Sequence, residues 1–325
     1  RETNMVSQEL TSMGFKYLNI NKLKTCISQT LYDTTDIKYM NDYVFICFLL
    51  GNDFLPHNPF LSIKHKAIDH VCSVYRTIHS KTNSFIINNN MWKMSVDIDF
   101  LALLFEGLAA NEQERMNAYV NEYKQASFVR KNRYQTSLEQ FCHEFEAWPL
   151  IHKDIHVYAT LLREPAWGMH YYHHQHNING LKDFSNIDNI CISYIIGLLW
   201  TTDYYFNNTY DHRWYFKYDH PPLFHDLSLY MQKTSAITIT DMYTKLTDTS
   251  VSPIEQLLTV LPKSSINLLP IKYQPLMTEI MHGCDHLFPE SFNISGFLKF
   301  LLWECTPILP PPNIKLIQDT VKTLS

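Results

Sequence analysis

With 325 residues the chain is long enough for one large domain or two of ordinary size. Its 46% hydrophobic and 18% charged residues exclude bulk disorder, and a net charge of −5 excludes an overall electrostatic footprint for nucleic acid while permitting a local basic groove. Only 8 residues are glycine, and neither G-x-G-x-x-G nor a Walker loop is present, which argues against a Gly-rich cofactor-binding sheet and for many helices.

The 7 cysteines, irregularly spaced and without a C-x-x-C pair, read as small buried hydrophobes of a reducing, intracellular compartment. No signal peptide and no apolar run of membrane-spanning length is read, so no membrane partner is expected.

In chain order, Leu18, Leu23, Cys26, Ile27 and Leu31 share a helix face, with Asn19 or Asn21 as cap and an end before Asp33. The spacing predicts a second helix from Ile37 to Leu50, running up to Gly51 at a left-handed C-terminal position. A strand through Val44 to Leu50 is the alternative. This buried element delivers Asp53 at its exit, ahead of a turn stiffened by Pro56 and Pro59. A carboxylate so placed is either a helix cap or a metal ligand or general base.

Ser62 to Thr77 reads as one helix with Ile63, Ala67, Ile68, Val71, Val74 and Tyr75 inward, and Asn88-Asn89-Asn90 as a loop. Met94 to Phe100 opens a long helical stretch, capped by Asp97, with Leu101, Leu104, Phe105 and Leu108 on its apolar side. Lys124, Arg130, Lys131 and Arg133 form either a solvated face or a patch near a phosphate backbone. The run Met169 to His176 reads as a helix presenting Tyr and His along one side. Adjacent histidines do not converge on one ion, and no Cys or Asp stands at ligand spacing for zinc. Asn186 to Phe206 has the period of a buried helix. After it, Arg213, Lys217 and the rings between Tyr210 and Tyr218 make a candidate surface for bases and phosphates. Pro221-Pro222 ends any helix, Leu223 to Gln232 resumes one, and Ser252-Pro253-Ile254-Glu255 starts another that runs to Val260. Short helices separated by prolines follow.

Three blocks carry a resemblance: DYVFICFLLGNDFLPHNP from Asp42 to Pro59, ISYIIGLLWTTDYYFNNTYDHRWYFKYDHPPLFHDL from Ile192 to Leu227, and PIEQLLTVLPKSSINLLPIKYQPLM from Pro253 to Met277. In order and spacing the chain resembles the Xrn family of processive 5′-3′ exoribonucleases, from Ile20 to about Pro310. The resemblance implies a mainly α fold: a large multi-helical domain (residues 61–325) behind the C-terminal fragment of a FEN/PIN-like α/β nuclease core (residues 1–60). It implies two divalent ions, Mg²⁺ or Mn²⁺, held among carboxylates, and Asp53 matches the last of those metal-coordinating, catalytic carboxylates. Asn52 and His57 are its neighbours on the substrate-binding side. The family's W-x-W-Y-Y-P segment aligns with His212 to Lys217, so Trp214 matches the second Trp and His212 replaces the first. The resemblance thus implies substrate binding by His212, Arg213 and Trp214, with Trp214 stacking on the first nucleotide; packing of the helical domain is its other reading. The implied substrate is single-stranded RNA with a 5′-monophosphate.

The departure is what the chain lacks. The family's other carboxylates and its basic 5′-phosphate pocket precede the matched region, and Asp97 and Asp99 lie in the wrong place to replace them. One Asp does not assemble two ions. The expectation is therefore a fragment, one part of a split enzyme or a decayed copy, inactive alone and active with an N-terminal nuclease half in cis or in trans. A catalytically incomplete RNA-binding or scaffolding module is the alternative.

Overall fold

The structure, a computed structural model, describes residues 17–90, 93–131, 133–153, 158, 161, 167–176, 184–209, 211–244 and 250–324; the readings at residues 1–16 and Tyr210 lie outside these. Among them the architecture is mainly α, with two two-stranded antiparallel hairpins as the only sheets. Helix α1 (Ile20–Tyr32) starts where Asn19 Oδ1 accepts the Lys22 amide at 3.0 Å, the first of the two caps its sequence offers. Its face is less buried than the spacing predicts: Leu31 is buried, whereas Leu18 and Leu23 are exposed. Helix α2 (Lys38–Phe48) is a helix and not a strand, and it buries Phe45, Ile46 and Phe48.

The next segment departs from its sequence reading. Ser62 to Thr77 is not one helix, because a 3₁₀ turn at Ile63–His65 is separated from α3 (Ala67–Thr82) by Lys66 at φ 54°. Ile63, expected inward, is therefore exposed. The Asn88-Asn89-Asn90 loop is strand β1 (Ile87–Asn90), paired with β2 (Lys93–Val96) so that Ile87 faces Val96. Two groups far away in sequence impose it. Buried Asp42 of α2 accepts the Ile86 and Ile87 amides at 3.0 and 2.8 Å and the Tyr75 hydroxyl at 2.7 Å. Asn207 accepts the Met94 amide at 2.8 Å and donates to the Met94 carbonyl at 2.7 Å. Helix α4 (Ile98–Ala109) begins only after the strand, with Asp97 as its cap.

The remaining helices are α5 (Glu112–Gln125), α6 (Ser137–Glu146), α7 (Trp148–Ile151), α8 (Trp167–His176), α9 (Phe184–Thr202), α10 (Phe224–Lys233), α11 (Ala236–Thr244), α12 (Pro253–Val260) and α13 (Ile314–Thr323). The main core draws Phe45 from α2, Tyr75 from α3, Phe105 from α4, Leu198 from α9 and Leu227 from α10, together with Leu55. Each fully buried side chain of this kind contributes about 2 kcal/mol. Helix α4 lies along α10, and buried Glu112 holds the start of α10 by accepting the Phe224 and His225 amides at 2.6 and 3.0 Å. A cap from another helix thus satisfies two amides that α10 leaves unbonded. A second core gathers Phe60, Tyr123, Tyr171 and Leu298. In the last third, Leu258, Tyr273, Met277 and Ile317 unite α12, α13 and the proline-punctuated 3₁₀ turns between them.

Arg130 and Lys131 of the basic cluster pair with Glu144 and Glu139 of α6, each at 3.0 Å, as a solvated face does. All the cysteines are free thiols; Cys72, Cys191 and Cys284 are buried as expected, while Cys26 and Cys142 are exposed. Among the described residues no helix is long and apolar enough to cross a membrane.

Candidate functional site

After α2 the chain turns through Gly51 at φ +105°. A Cβ at this position would lie 2.6 Å from His57 Cα and 2.8 Å from His57 N, so a side chain would collide with backbone. Around that contact the Asn52 amide donates to the Leu55 carbonyl at 3.0 Å, and Asn52 Oδ1 accepts the Phe54 and Leu55 amides, each at 2.9 Å. His57 Nδ1 donates to the Leu50 carbonyl at 2.7 Å. A carbonyl only accepts, so the proton of the neutral ring sits on Nδ1. Burial of the ring lowers the His57 pKa, against the pull of that bond. Asn52 and His57 therefore build the turn, and Asp53 stands at its apex, exposed to solvent. The Asp53 carboxylate makes no hydrogen bond or ion pair among the described residues, so the helix-cap alternative does not hold for it. Asn52 is the residue that accepts backbone amides. Its Nδ2, in contrast, is buried with no acceptor.

Aromatic rings stand beside this apex. Phe54 meets Trp200 and Tyr204 edge to face at 4.8 and 4.7 Å, and Tyr205 stacks on Phe48 at 5.3 Å. The Tyr205 phenol is raised in pKa first by burial and then by the Asp53 carboxylate, which puts that ring within electrostatic reach of Asp53. Tyr204 and Tyr205 are both exposed. Their placement follows from a π-helical turn, Asp203–Asn207, that continues α9 and closes with the Asn208 amide on the Asp203 carbonyl. Such a turn inserts one residue into the helical repeat and changes the face that the following side chains occupy. It is held in place by three residues, two of β2 and one of α11. Buried Asp203 accepts from Lys93 at 3.1 Å and from the Tyr243 hydroxyl of α11, and Asn207 binds Met94 of β2.

The second group of expected residues lies on the loop after α9. Trp214 stacks on Trp200 with centroids 5.1 Å apart, and Trp200 Nε1 donates to the Asp211 carbonyl at 2.9 Å. The edge of Trp214 rests on Gly197, where a Cβ would lie 2.8 Å from Trp214 Cη2 and 2.6 Å from Leu55 Cδ2. Trp214 is thus half-buried and joined to the Asp53 turn through Trp200, Phe54 and Leu55. It also lines an open cleft of about 530 Å³ with Ser193 and Ile196 of α9, Arg213, Lys217 and Tyr218. Arg213 Nε stands 3.9 Å from the Asp211 carboxylate, and His212 is exposed on the same loop. Asn52, Asp53 and His57 form one constellation and His212, Arg213 and Trp214 another, with rings between them. Those rings (Phe54, Trp200, Tyr204 and Tyr205) are what the sequence reading missed as site components, since it placed Trp200, Tyr204 and Tyr205 inside a buried helical period and gave Phe54 of the Asp53 turn no role. The signal was the pair Asn207-Asn208 directly after Tyr204-Tyr205-Phe206, which ends the regular repeat.

Asp53 offers the oxygen that a hard divalent cation takes. Among the described residues no three of His, Cys, Asp and Glu stand close enough to share a metal ion. The chain therefore fits such an ion with one ligand at this place, and the described residues do not complete the set.

Comparison with known proteins bears on this arrangement. The family described as the Xrn1 helical domain matches residues 34–156 and 153–324. The chain is 23% identical to the 5′-3′ exoribonuclease 2 homolog of Drosophila melanogaster over 91% of its own length and 36% of that protein. It is 24% identical to the 5′-3′ exoribonuclease 1 of Homo sapiens over 88% of its length and 18% of the relative. With the 5′-3′ exoribonuclease 2 of Gallus gallus the identity is 24%, over 83% of this chain and 34% of the relative. The chain thus spans about a third or less of the length of these relatives.

Proposed function

Because this chain belongs to the Xrn1 helical domain family, we propose that it serves 5′-3′ exoribonucleolysis, contributing the last carboxylate of the nuclease site and the helical domain behind it. The observation that carries the proposal is Asp53, exposed and unpartnered at the apex of a turn whose other polar groups are committed to holding it there. Buried Asn52 Nδ2 supports it, since a donor without an acceptor costs about 1–3 kcal/mol and suits a site completed by another segment. Two divalent ions, Mg²⁺ or Mn²⁺, would activate water and stabilise charge on the scissile phosphodiester when bound. Asp53 would hold one of them, with further carboxylates supplied by an N-terminal nuclease half in cis or in trans.

The chain's own residues would do the positioning. Rings stack on bases without reading sequence, and Trp214 is braced on Trp200 so that its exposed part keeps one orientation. Arg213 and Lys217 border the same cleft and suit phosphates, and exposed His212 precedes Arg213 on the same loop. The substrate proposed is single-stranded RNA bearing a 5′-monophosphate. A binding or scaffolding role without catalysis is favoured by one feature, the cleft itself, which needs no metal to hold a strand. The test is to join the chain to a nuclease half and add 5′-monophosphate RNA with Mg²⁺. Metal-dependent shortening from the 5′ end supports the enzyme. Salt-sensitive binding without any cleavage supports the scaffold and refutes the catalytic reading.

A further inference from the structure

A second cleft, of about 510 Å³, opens between the 3₁₀ turn that follows the Asp53 loop and helix α5; Lys64, Lys66, His70, Glu114 and Arg115 line it. In a chain of net charge −5 it sets three permanent cations against one carboxylate. Lys64 and Lys66 form no ion pair among the described residues, and Lys64 Nζ lies 4.8 Å from the centre of the Phe300 ring. His65, at the same place, is already engaged with Glu122. The Arg115 guanidinium is pinned, since Nε donates to the Phe60 carbonyl at 2.9 Å and Nη2 to the His65 carbonyl at 3.0 Å, which leaves Nη1 uncommitted. His70 Nε2 is buried without a hydrogen-bond partner.

Lys66 adds an independent observation. Its φ of 54° is a conformation that glycine adopts at lower cost, so a lysine here places a charge at the rim where the backbone favours a residue without one. The start of α3 next to it carries no side-chain cap, and Asp69 in its first turn offsets part of the positive helix end. A guanidinium held by two backbone carbonyls, lining one cleft with two lysines that form no ion pair among the described residues, is a donor set suited to a phosphate.

We propose that this cleft is a phosphate-binding site, separate from the Asp53 turn, that takes the phosphate group of a single-stranded nucleic acid or of a free polyphosphate. The site does not depend on the nuclease reading, because none of its residues belongs to the Asp53 or Trp214 groups.

The test titrates the whole chain with two probes, a single-stranded oligoribonucleotide and inorganic pyrophosphate, over a range of salt. The variants are Lys64→Glu with Lys66→Glu, and a control, Lys315→Glu with Lys322→Glu at two exposed positions of α13, that changes the net charge equally. For a nucleic-acid site the cleft reversal lowers oligonucleotide affinity about tenfold or more and flattens the salt dependence by about 1.4, two phosphate contacts at roughly 0.7 each, while the control does neither. For a free polyphosphate the reversal abolishes pyrophosphate binding and leaves the oligonucleotide unaffected. Lys66→Gly keeps the fold secure: it melts at a higher temperature and binds its probe more weakly. The proposal is overturned if neither probe binds, if the reversal and the control behave alike, or if Lys66→Gly gains stability with unchanged binding. Where the oligonucleotide still binds in those cases, its loss in Arg213→Ala with Trp214→Ala would leave the nuclease reading standing; where neither probe binds, Mg²⁺-dependent digestion by the chain joined to a nuclease half tests that reading separately.

Discussion

Substituting Gly51 with alanine tests how the Asp53 turn is built. At φ +105° a side chain is strained wherever it points, which costs about 1–3 kcal/mol. The new Cβ would also lie 2.6 Å from His57 Cα, a backbone atom that no rotamer change can move aside. Relief requires displacement of the Leu50 to His57 loop, which breaks the His57–Leu50 bond of 2.7 Å and the Asn52–Leu55 bond of 3.0 Å, about 1 kcal/mol each. Together the expected destabilisation is about 3–5 kcal/mol. Gly283→Ala separates the two contributions. Its φ is +68° and nothing lies within 4 Å of a Cβ there, so strain alone applies, about 1 kcal/mol. Urea unfolding of both variants and the parent, read as midpoints at constant slope, gives the comparison. A Gly51→Ala loss no larger than that of Gly283→Ala would refute the reasoning, because the collision with His57 would then cost nothing.

Other consequences follow from the same contacts. Asp42→Ala leaves the Tyr75 hydroxyl and the Ile86 and Ile87 amides without their shared acceptor, so a loss of about 3 kcal/mol or more is expected in denaturant unfolding, with faster hydrogen exchange at Ile87. Asn207→Ala removes both bonds to Met94, and exchange at the Met94 amide should accelerate by about tenfold or more, while α4 keeps its protection. Burial pushes the Glu112 carboxyl from 4.5 up to about 8, outweighing the two amide bonds that pull it down. The folded state therefore holds this proton more tightly than the unfolded chain does. The stability Glu112 contributes is greatest below about pH 4.5 and is lost as the pH rises to about 8. The difference in unfolding free energy between the parent and Glu112→Gln should fall across that window by a few kcal/mol and level off above it; a flat difference would contradict the assignment.

Much of this was written in local sequence, and the failures have a common cause. Asn19 and Asp97 cap the helices they were expected to cap, and the apolar period of Leu101, Leu104, Phe105 and Leu108 fixed the buried side of α4, because these features depend on neighbours a few residues away. Asn88-Asn89-Asn90 reads as a loop by composition, yet buried Asp42 of α2 and half-buried Asn207 of the π-helical turn hold it as a strand. Lys66 breaks a helix whose apolar spacing continues across it, since φ at one residue leaves no mark on a hydrophobic period. In the candidate site the GNDFLPH block was legible, and it separates into the groups that make the turn (Gly51, Asn52, His57) and the group the turn presents (Asp53). The ring cluster was not legible, because Tyr204 and Tyr205 take their places from a π-helical turn that is itself fixed by Lys93, Met94 and Tyr243.

The central claim is that Asp53 acts in chemistry and not in folding. In the chain joined to a nuclease half, the rate of Mg²⁺-dependent digestion of 5′-monophosphate RNA is compared between parent and Asp53→Ala, alongside their unfolding curves. Asp53 is exposed and bonds to nothing among the described residues, so stability should stay within about 0.5 kcal/mol, while the rate falls by about 10²-fold or more. A variant that digests RNA at the parental rate would contradict the account.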